Sequence, residues 1–425
     1  MEKAILVTAY ITSDKAGFSI NDMADELTEL ARSAGAGISE SIQINLKKIF
    51  SDYYIGSGNL ERLKNIAKKE NANVVIFNND LTGTQQRNIE DAIGVKTIDR
   101  TQLILDIFAQ RAKSNEGKLQ VELAQLEYLL PRLSGKGILL SRLGGGIGTR
   151  GPGEQKLEID RRKIKDKIAR LKKEILRMSS QRKMRRHARQ TFSIPTVAIV
   201  GYTNAGKSTL FNKLTNSNVK AYDKLFSTLD TTTRMLVLPT KQKVLLSDTV
   251  GFLYKLPHHL IDSFKATLEE VKEADVLLHM VDSSRANIEV AIQAVYEVLY
   301  ELGIQDKPII TVFNKVDKLT NVDLPMVARL TEKYPNSITT SAVKNINLEN
   351  LIVKITEIFS GTVKTIRWEF SSDNARLLNA LHKYGKVIST DFLPDNKVTI
   401  DVIIPASVIE KLHKKLGGKF VLIDA

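Results

Sequence analysis

The sequence predicts an α/β protein of four parts: an N-terminal α/β domain with a parallel sheet (1–110), a long helical hairpin (111–192), a second α/β domain (193–360) and a small C-terminal α+β domain (361–425). Three observations lead to this prediction. β-rich runs alternate with helical segments in the first and third parts, as is typical of parallel sheets. Two narrow apolar stripes flank a glycine-rich segment in the second part. A length of 425 residues is enough for two to four domains, each with its own core.

The N-terminal part is predicted to hold four strands separated by three helices. The strands are "AILVTAYI", "SIQI", "NVVIF" and "VKTID". Ser19 and Gly35 give the first helix a start and a stop signal. Gly56 and Gly58 precede the second helix, and no Lys-Ser pair follows them. We therefore interpret these glycines as a structural turn in preference to a nucleotide site.

Two apolar stripes predict the helical hairpin. Their members repeat at spacings of four and three residues: Leu119, Leu123, Leu126, Leu130 and Leu133 in the first arm, and Ile164, Ile168, Leu171, Ile175 and Met178 in the second. Each stripe needs a partner, so we expect the arms to pack on each other. A second arm that is helical from about Gln155 to Gln190 would be roughly 50 Å long. Its end, "SSQRKMRRHARQ", lacks the stripe and is expected to meet solvent or an acidic surface.

Positive charge is concentrated in the hairpin. Residues 111–190 hold 22 Lys and Arg against 8 Asp and Glu, which accounts for the whole formal net charge of +14. A local excess of this size favours an element that binds a polyanion over a solvated helical face.

The segment between the two arms is rich in glycine. Residues 134–153 hold eight of the 24 glycines, and a connection this long inside a hairpin is uncommon unless it is functional or disordered. It does not lead from a strand into a helix, and it has no Lys-Ser or Lys-Thr pair, so it does not suit a mononucleotide. We interpret it as a flexible tip of little bulk, with Arg142 and Arg150 exposed, that can enter a narrow RNA cavity.

The C-terminal part is predicted as β-α-β-β-α. Its elements are "TIRWEF", "NARLLNALHKYG", "VISTDFL", "KVTIDVII" and "SVIEKLHKKLG". Strands and helices in this order suit a small α+β domain. No motif in it indicates what it contacts.

Composition excludes several classes of function. The chain has no cysteine, which excludes disulfides, thiolate metal sites and cysteine nucleophiles, and its six histidines are scattered. No apolar run approaches the roughly 18 residues that span a bilayer, and the first residues lack a signal-peptide pattern. We expect a cytoplasmic monomer without a DNA partner, whose association with a membrane is at most peripheral.

A phosphate-binding motif opens the third part. "GYTNAGKS" (201–208) matches G-x-x-x-x-G-K-[ST], follows an apolar strand and precedes a helix. Its glycines let backbone N–H groups close around the phosphates, Lys207 neutralises the β and γ oxygens, and the Ser208 hydroxyl ligates Mg²⁺. The predicted nucleotide contacts in this phosphate loop are Gly201, Tyr202, Thr203, Asn204, Ala205, Gly206, Lys207 and Ser208.

Two further segments complete the phosphate side. "VLLSDTVG" is a strand that ends in Asp248 and Gly251, whose carboxylate can hold Mg²⁺ through water and whose amide can sense the γ-phosphate. The threonine-rich loop "FSTLDTTTR" (226–234) can supply a second Mg²⁺ ligand. The predicted contacts are Phe226, Ser227, Thr228, Leu229 and Asp230 in the loop, and Asp248, Thr249, Val250 and Gly251 at the strand end.

A third set of residues selects the base. "PIITVFNKVDKL" places Asn314, Lys315 and Asp317 at a strand end, where Asp317 can accept hydrogen bonds from N1–H and the 2-amino group of guanine. Adenine lacks this pair of donors, so GTP is expected to be preferred over ATP. The predicted base contacts are Asn314, Lys315, Val316, Asp317, Ser341, Ala342 and Val343. The third part is thus predicted to be a P-loop GTPase domain that uses GTP, GDP and Mg²⁺.

Over essentially its whole length, the chain resembles the HflX family of translation-factor-type GTPases. The resemblance is carried by "GTRGPGEQKLEIDRR", "FSTLDTTTR" and "DTVGFLYKLPHHLIDSFKATLEE". Ser227 and Thr231 stand where the family pattern FATLDPTxR has Ala and Pro, and we expect binding to be undisturbed. The resemblance implies that Thr228 senses Mg²⁺, as a second metal ligand beside Ser208, although other threonines follow closely.

No catalytic residue is certain from the sequence. Phe252 follows the Asp-Thr-Val-Gly segment, where many related GTPases carry a glutamine that orients the attacking water. We therefore expect slow turnover by the free protein. Asn204 has two interpretations of equal weight, a potassium ligand as in similar GTPases or a residue that stabilises the loop.

Two functions fit these features. In the first, the basic hairpin binds ribosomal RNA; the resemblance implies the large subunit near the peptidyl-transferase centre, with ribosomes split or kept apart under stress. In the second, a regulatory GTPase acts on protein partners or an anionic membrane surface. No basic amphipathic helix with a broad aromatic or leucine face occurs, which favours the ribosome.

Overall fold

The computed structural model of the chain has one sheet in each of the three predicted sheet-containing parts, and these confirm the predicted fold class. It describes residues 2–11, 19–133, 152–190, 194–217, 225–226, 230–253, 265–285, 287–321, 323–394, 396–416 and 419–423.

The N-terminal domain is a four-stranded parallel sheet with the strand order β2-β1-β3-β4. Its elements are β1 (Lys3–Ile11), α1 (Ile20–Ala34), β2 (Gly37–Leu46), α2 (Ser57–Lys69), β3 (Val74–Phe77), α3 (Gly83–Ile93), β4 (Lys96–Asp99) and α4 (Arg100–Arg111). The Ser19 hydroxyl caps α1 and Gly35, at φ 88°, ends it, as predicted. Helix α4 was not among the predicted elements, because its apolar residues surround the helix and give no one-sided pattern.

Two long helices follow, α5 (Asn115–Arg132) and α6 (Pro152–Gln190). They pack on each other through the predicted stripes, in which Leu123 and Leu171 are buried. Ion pairs join them at Glu122–Lys167 (2.5 Å) and Glu127–Lys172 (2.7 Å). The predicted glycine-rich tip lies outside the described residues except for its last two. Helix α6 is strongly charged, and no described helix is both long enough and apolar enough to cross a membrane.

The third part is a six-stranded sheet with the order β10-β9-β8-β5-β7-β6. Of the described strands, only β6, at the edge, runs antiparallel to its neighbour, so the carboxyl ends of β5, β7, β8 and β9 meet at one edge. Its elements are β5 (Thr196–Gly201), α7 (Lys207–Thr215), β6 (Thr232–Val237), β7 (Lys243–Asp248), α8 (Lys265–Glu273), β8 (Val276–Asp282), α9 (Ile288–Glu301), β9 (Ile309–Asn314), α10 (Leu324–Lys333), β10 (Ser337–Thr339) and α11 (Leu348–Ile358).

The C-terminal domain is an antiparallel sheet with the order β12-β13-β11-β14. Its elements are β11 (Val363–Ser371), α12 (Ala375–Tyr384), β12 (Lys386–Leu393), β13 (Lys397–Pro405), α13 (Ala406–Leu416) and β14 (Lys419–Leu422). The chain order is therefore β-α-β-β-α-β, a ferredoxin-like arrangement. The sequence prediction missed β14, a four-residue edge strand too short to show an alternating pattern.

One apolar core joins the first three parts. A single buried cluster contains Leu6 and Phe108 of the N-terminal domain, Tyr128 of α5, and Phe226 and Val250 of the third part. The rings of Phe108 and Phe226 meet edge to face, with centroids 4.6 Å apart. The predicted domain boundaries stay predictions, but apolar packing crosses two of them.

Candidate guanine nucleotide site

The phosphate loop connects β5 to α7 at the carboxyl edge of the central sheet. Such a loop must turn sharply, and Gly201 (φ 147°) and Gly206 (φ 96°) both lie in the region that favours glycine. A Cβ on Gly206 would collide with the side-chain amide of Asn314. Asn204 also has a positive φ, of 62°, which asparagine tolerates better than most residues. The loop is therefore shaped by residue types that the motif prescribes.

Lys207 is held inside this loop. Its ammonium donates hydrogen bonds to the carbonyls of Tyr202 (2.8 Å) and Gly201 (3.2 Å). Burial lowers the pKa of Lys207 to about 8, although the nearby carboxylate of Asp248 acts in the opposite direction. A phosphate at the loop would favour the charged ammonium, so the site is suited to an anion.

The residues at the end of β7 fit a Mg²⁺-nucleotide complex. The Ser208 hydroxyl donates to the fully buried Asp248 carboxylate at 2.7 Å, so the predicted metal ligand and the carboxylate lie together. A Cβ on Gly251 would stand 2.8 Å from the Lys207 ammonium, so that only glycine leaves this space open. Among the described residues, no group of three or more acidic or histidine side chains is placed to hold a metal ion by itself. Mg²⁺ would be held by Ser208, by Asp248 through water and by phosphate oxygens, and it would neutralise charge on the transferred phosphate; the other predicted ligand, Thr228, lies outside the described residues.

The predicted base contacts lie together at the ends of β9 and β10. The side chain of Asn314 donates to Ala205 O (2.9 Å) and accepts from Ala342 N (3.0 Å), so it ties the phosphate loop to the base loop. Ser341 Oγ donates to Asp317 at 2.5 Å and leaves the other carboxylate oxygen for the base. Val316 N bonds the carbonyl of Thr340. Lys315 pairs with Asp282 (2.7 Å), and the side chain of Val343 is 64% exposed.

Phe252 is directed away from the phosphate side. Its backbone pairs with the phosphate loop through Phe252 N–Gly201 O (3.1 Å) and Thr203 N–Phe252 O (2.8 Å). Its ring is 2% exposed and packs in an apolar cluster with Val200 and Leu268. Before it, Thr249 donates to Ile199 O (2.6 Å), and Val250 is buried. Phe252 therefore anchors this segment and does not orient water.

The threonine-rich loop is only partly described. The ring of Phe226 lies in the core shared with the N-terminal domain, and the carboxylate of Asp230 accepts hydrogen bonds from the start of α5. Ser227, Thr228 and Leu229 lie outside the described residues. The side chains of Phe226 and Asp230 are thus used by contacts with other parts of the chain.

The structure adds residues that the sequence analysis missed. The hydroxyl of Tyr202, in the phosphate loop, donates to Glu26 of α1, which also pairs with Arg100. The guanidinium of Arg285 lies 4.9 Å from the centre of the Tyr202 ring. Glu26 had no sequence signal because it sits in an ordinary helix. Asp282, the partner of Lys315, did have a signal in the sequence, because it ends a buried strand at the same edge of the sheet as Asp248.

Comparison with known proteins assigns the family. Three family models match along the chain: "GTP-binding GTPase N-terminal" at residues 21–109, "GTP-binding GTPase Middle Region" at 111–189, and "50S ribosome-binding GTPase" at 196–315. GTPase HflX of Caldanaerobacter subterraneus subsp. tengcongensis is 47% identical over 413 residues, 97% of this chain and 93% of the relative. GTPase HflX of Escherichia coli K12 is 39% identical over 416 residues, 97% of this chain and 96% of the relative.

Among solved structures, a GTP-binding protein from the archaeon Sulfolobus solfataricus in complex with GDP is 27% identical, with a TM-score of 0.44 over 85% of this chain and 99% of that one. The two full-length relatives decide the assignment together with the site described above. The chain belongs to the HflX family of GTPases, and its reaction is the hydrolysis of GTP.

Proposed function

We propose that this GTPase binds the large ribosomal subunit through ribosomal RNA and, with GTP bound, splits ribosomes or keeps their subunits apart under stress. The description of the family model over residues 196–315 names 50S ribosome binding, which supports the partner. The observation that carries the proposal is the basic surface of α6. Hydrolysis of GTP then resets the protein.

The basic surface of α6 is accessible along the described part of the helix. Besides Lys167 and Lys172, which pair with α5, six described Lys and Arg side chains of α6 are exposed: Arg162, Lys163, Lys165, Arg170, Lys173 and Arg177. An extended row of cations matches the spaced phosphates of an RNA backbone, and its affinity comes largely from the release of counterions. Ser179 of the same helix donates to Glu269 of α8 (3.0 Å), so the row continues directly from the GTPase domain.

Co-sedimentation with ribosomal subunits at several salt concentrations tests the partner. Replacing Arg162, Lys163 and Arg170 by Ala should weaken binding. It should also flatten the slope of log affinity against log salt concentration by about 0.7 to 1 for each lost phosphate contact. A variant with Arg62, Lys68 and Lys69 replaced by Ala, all on exposed positions of α2, loses the same three positive charges and serves as the control. Unchanged ribosome binding by the α6 variant, together with salt-sensitive binding of the parent to anionic vesicles, would favour the membrane-acting alternative.

Turnover should be slow in the free protein and faster with ribosomes. The buried Phe252 ring provides no group that orients water. In related reactions, positive charge supplied by a partner raises the rate of hydrolysis by about 10³–10⁵. The measurement is the rate of phosphate release with and without purified large subunits. A rate that subunits leave unchanged contradicts this prediction.

We also propose that potassium bound at Asn204 contributes to turnover. The rate of phosphate release should then be lower in NaCl than in KCl, and equal rates in the two salts would contradict this role.

The glycine-rich tip should act after binding. Replacing residues 144–151 by a short Gly-Ser linker removes the part proposed to enter a narrow RNA cavity, whereas the arms that contact phosphates remain. The variant should keep its affinity for GTP and much of its affinity for ribosomes, but lose subunit splitting in sucrose gradients. Loss of GTP binding, or splitting equal to that of the parent, would show that this interpretation is wrong.

A further inference from the structure

The carboxylate of Asp230 closes the N-terminal end of α5. It accepts hydrogen bonds from the backbone amides of Lys113 and Ser114, both at 2.9 Å, and from the Ser114 hydroxyl at 2.5 Å. The first amides of a helix lack partners within the helix, and its N-terminus carries partial positive charge. A carboxylate from another part of the chain therefore lies at the N-terminus of the first arm and binds its N-cap residue, Ser114, and the residue before it; this contact is called the Asp230 cap.

The residues around this contact are fitted to it. The Ser114 hydroxyl donates to Asp230 and at the same time accepts from Gly117 N (2.9 Å). It is therefore the N-cap of α5 and connects Asp230 to the first turn of the helix by hydrogen bonds. A Cβ on Gly117 would collide with Asp230 Oδ1. Glycine in a helix costs up to about 1 kcal/mol relative to alanine. The close approach of Asp230 gives a physical reason for glycine here.

The chain just before the threonine-rich loop is also fixed. Leu225 N donates to the Ser33 hydroxyl of α1 (3.1 Å), and the Phe226 ring packs on Phe108. Thr228, which the family pattern assigns to Mg²⁺, lies two residues after Phe226 and two residues before Asp230 in the sequence. The described contacts therefore hold both flanks of the residue that is expected to respond to the nucleotide.

We propose that Asp230 is a positioning residue that couples the GTP state of the threonine-rich loop to the first arm of the hairpin. Mg²⁺ and the γ-phosphate at Thr228, as the family pattern implies, would restrict the position of Asp230 two residues further on, so that the Asp230 cap would cost less entropy to form. The cap and the GTP state thus stabilise each other, and the effect must be reciprocal. GDP does not hold Thr228 in this way, so the cap contributes little to its binding.

Nucleotide titrations of the full-length protein test the coupling without ribosomes. Asp230→Ala should weaken a non-hydrolysable GTP analogue about fivefold relative to GDP, the lower end of usual allosteric couplings, because the contact is partly exposed. Asp323→Ala is the matched control, since Asp323 accepts from Thr320 N (2.9 Å) and Oγ1 (2.7 Å) in the same manner without touching α5. Equal weakening of both nucleotides, or no change, would overturn the proposal.

Gly117→Ala separates coupling from a general loss of stability. Alanine favours the helix, yet its Cβ would displace Asp230, so this variant should show the same selective loss of analogue affinity. Hydrogen exchange gives the second readout: the amides of Lys113 and Ser114 should exchange more slowly with the GTP analogue than with GDP, and this difference should vanish in Asp230→Ala. Equal exchange in the parent with either nucleotide contradicts the coupling, whatever the ribosome experiments show.

Discussion

A buried ammonium defines the nucleotide site at the scale of single residues. Lys207 is 6% exposed and is bonded to two carbonyls, which solvate it less well than water does. Arg285 and Lys315 add to the effect of burial, and Asp248 offsets part of it. The free protein thus keeps a cation in an unfavourable place, and a bound phosphate relieves that cost.

The affinity for GDP should therefore depend on pH through Lys207. Its pKa is lowered from 10.5 to about 8 in the free protein, and phosphates restore the charged form. Above about pH 8 binding must take up a proton, so the affinity should fall by up to tenfold per pH unit, with little change below about pH 7. Fluorescent GDP titrations between about pH 7 and pH 9.5 measure this.

The same lowered pKa also affects stability. Between about pH 8 and pH 10 the unfolded chain binds more protons at Lys207 than the folded one, so the Lys207 contribution to the free energy of unfolding rises with pH.

Lys207→Arg is the control for this prediction. Arginine stays charged throughout the range, so the variant should bind more weakly but lose the decline that begins near pH 8. A decline of the same slope in the arginine variant would trace it to another group, such as the guanine base.

At the scale of elements, α5 is fixed at its C-terminal end as well as at its cap. Arg132, its last residue, donates to Asp99 (2.9 Å) and to Leu81 O (2.7 Å) and lies over the Tyr128 ring. Asp99 is fully buried and also accepts from Tyr128 (2.8 Å); burial raises the pKa of both groups. The end of α5, two residues before the predicted tip, is therefore held by the N-terminal domain.

Removing Arg132 should destabilise the protein strongly. Arg132→Ala leaves the buried Asp99 carboxylate without its cation, a loss that typically costs about 3–5 kcal/mol. Lys172→Ala breaks an ion pair that is 55% and 23% exposed and should cost about 1 kcal/mol or less. Urea unfolding gives both values. Similar losses in the two variants would mean that the Arg132 contact adds nothing beyond a surface pair.

The sequence predicted the parts of the molecule that local chemistry dictates. Lys207, Ser208 and Asp248 were identified because phosphate and Mg²⁺ need those residue types at a fixed spacing after a strand. The use of Phe226 in an interdomain core was not predicted, because its partner Phe108 lies far away in the sequence and the loop motif assigns Phe226 to the nucleotide. Glu26 was missed because its partner Tyr202 also lies far away in the sequence. Motifs report ligands, whereas contacts between domains leave no local pattern.

At the scale of the whole molecule, the N-terminal domain and the GTPase domain share apolar surface that neither can expose freely. Leu225, Phe226, Val250 and Leu253 lie beside the phosphate side of the GTPase domain and pack into the common cluster. A fragment of residues 194–360 would expose them to water. Nucleotide specificity is therefore best measured on the full chain.

Phe108→Ala should disturb the nucleotide site from within the N-terminal domain. Phe108 is 1% exposed, and its loss leaves a cavity beside Phe226, which typically costs about 3–5 kcal/mol. Phe77→Ala is the matched control, because Phe77 is as deeply buried in the same domain but packs in a cluster without GTPase-domain residues. Both variants should lose similar free energy of unfolding in urea. Only Phe108→Ala should also release GDP faster, since it frees the start of the threonine-rich loop; equal release rates would mean that the shared core holds the domains together without positioning that loop.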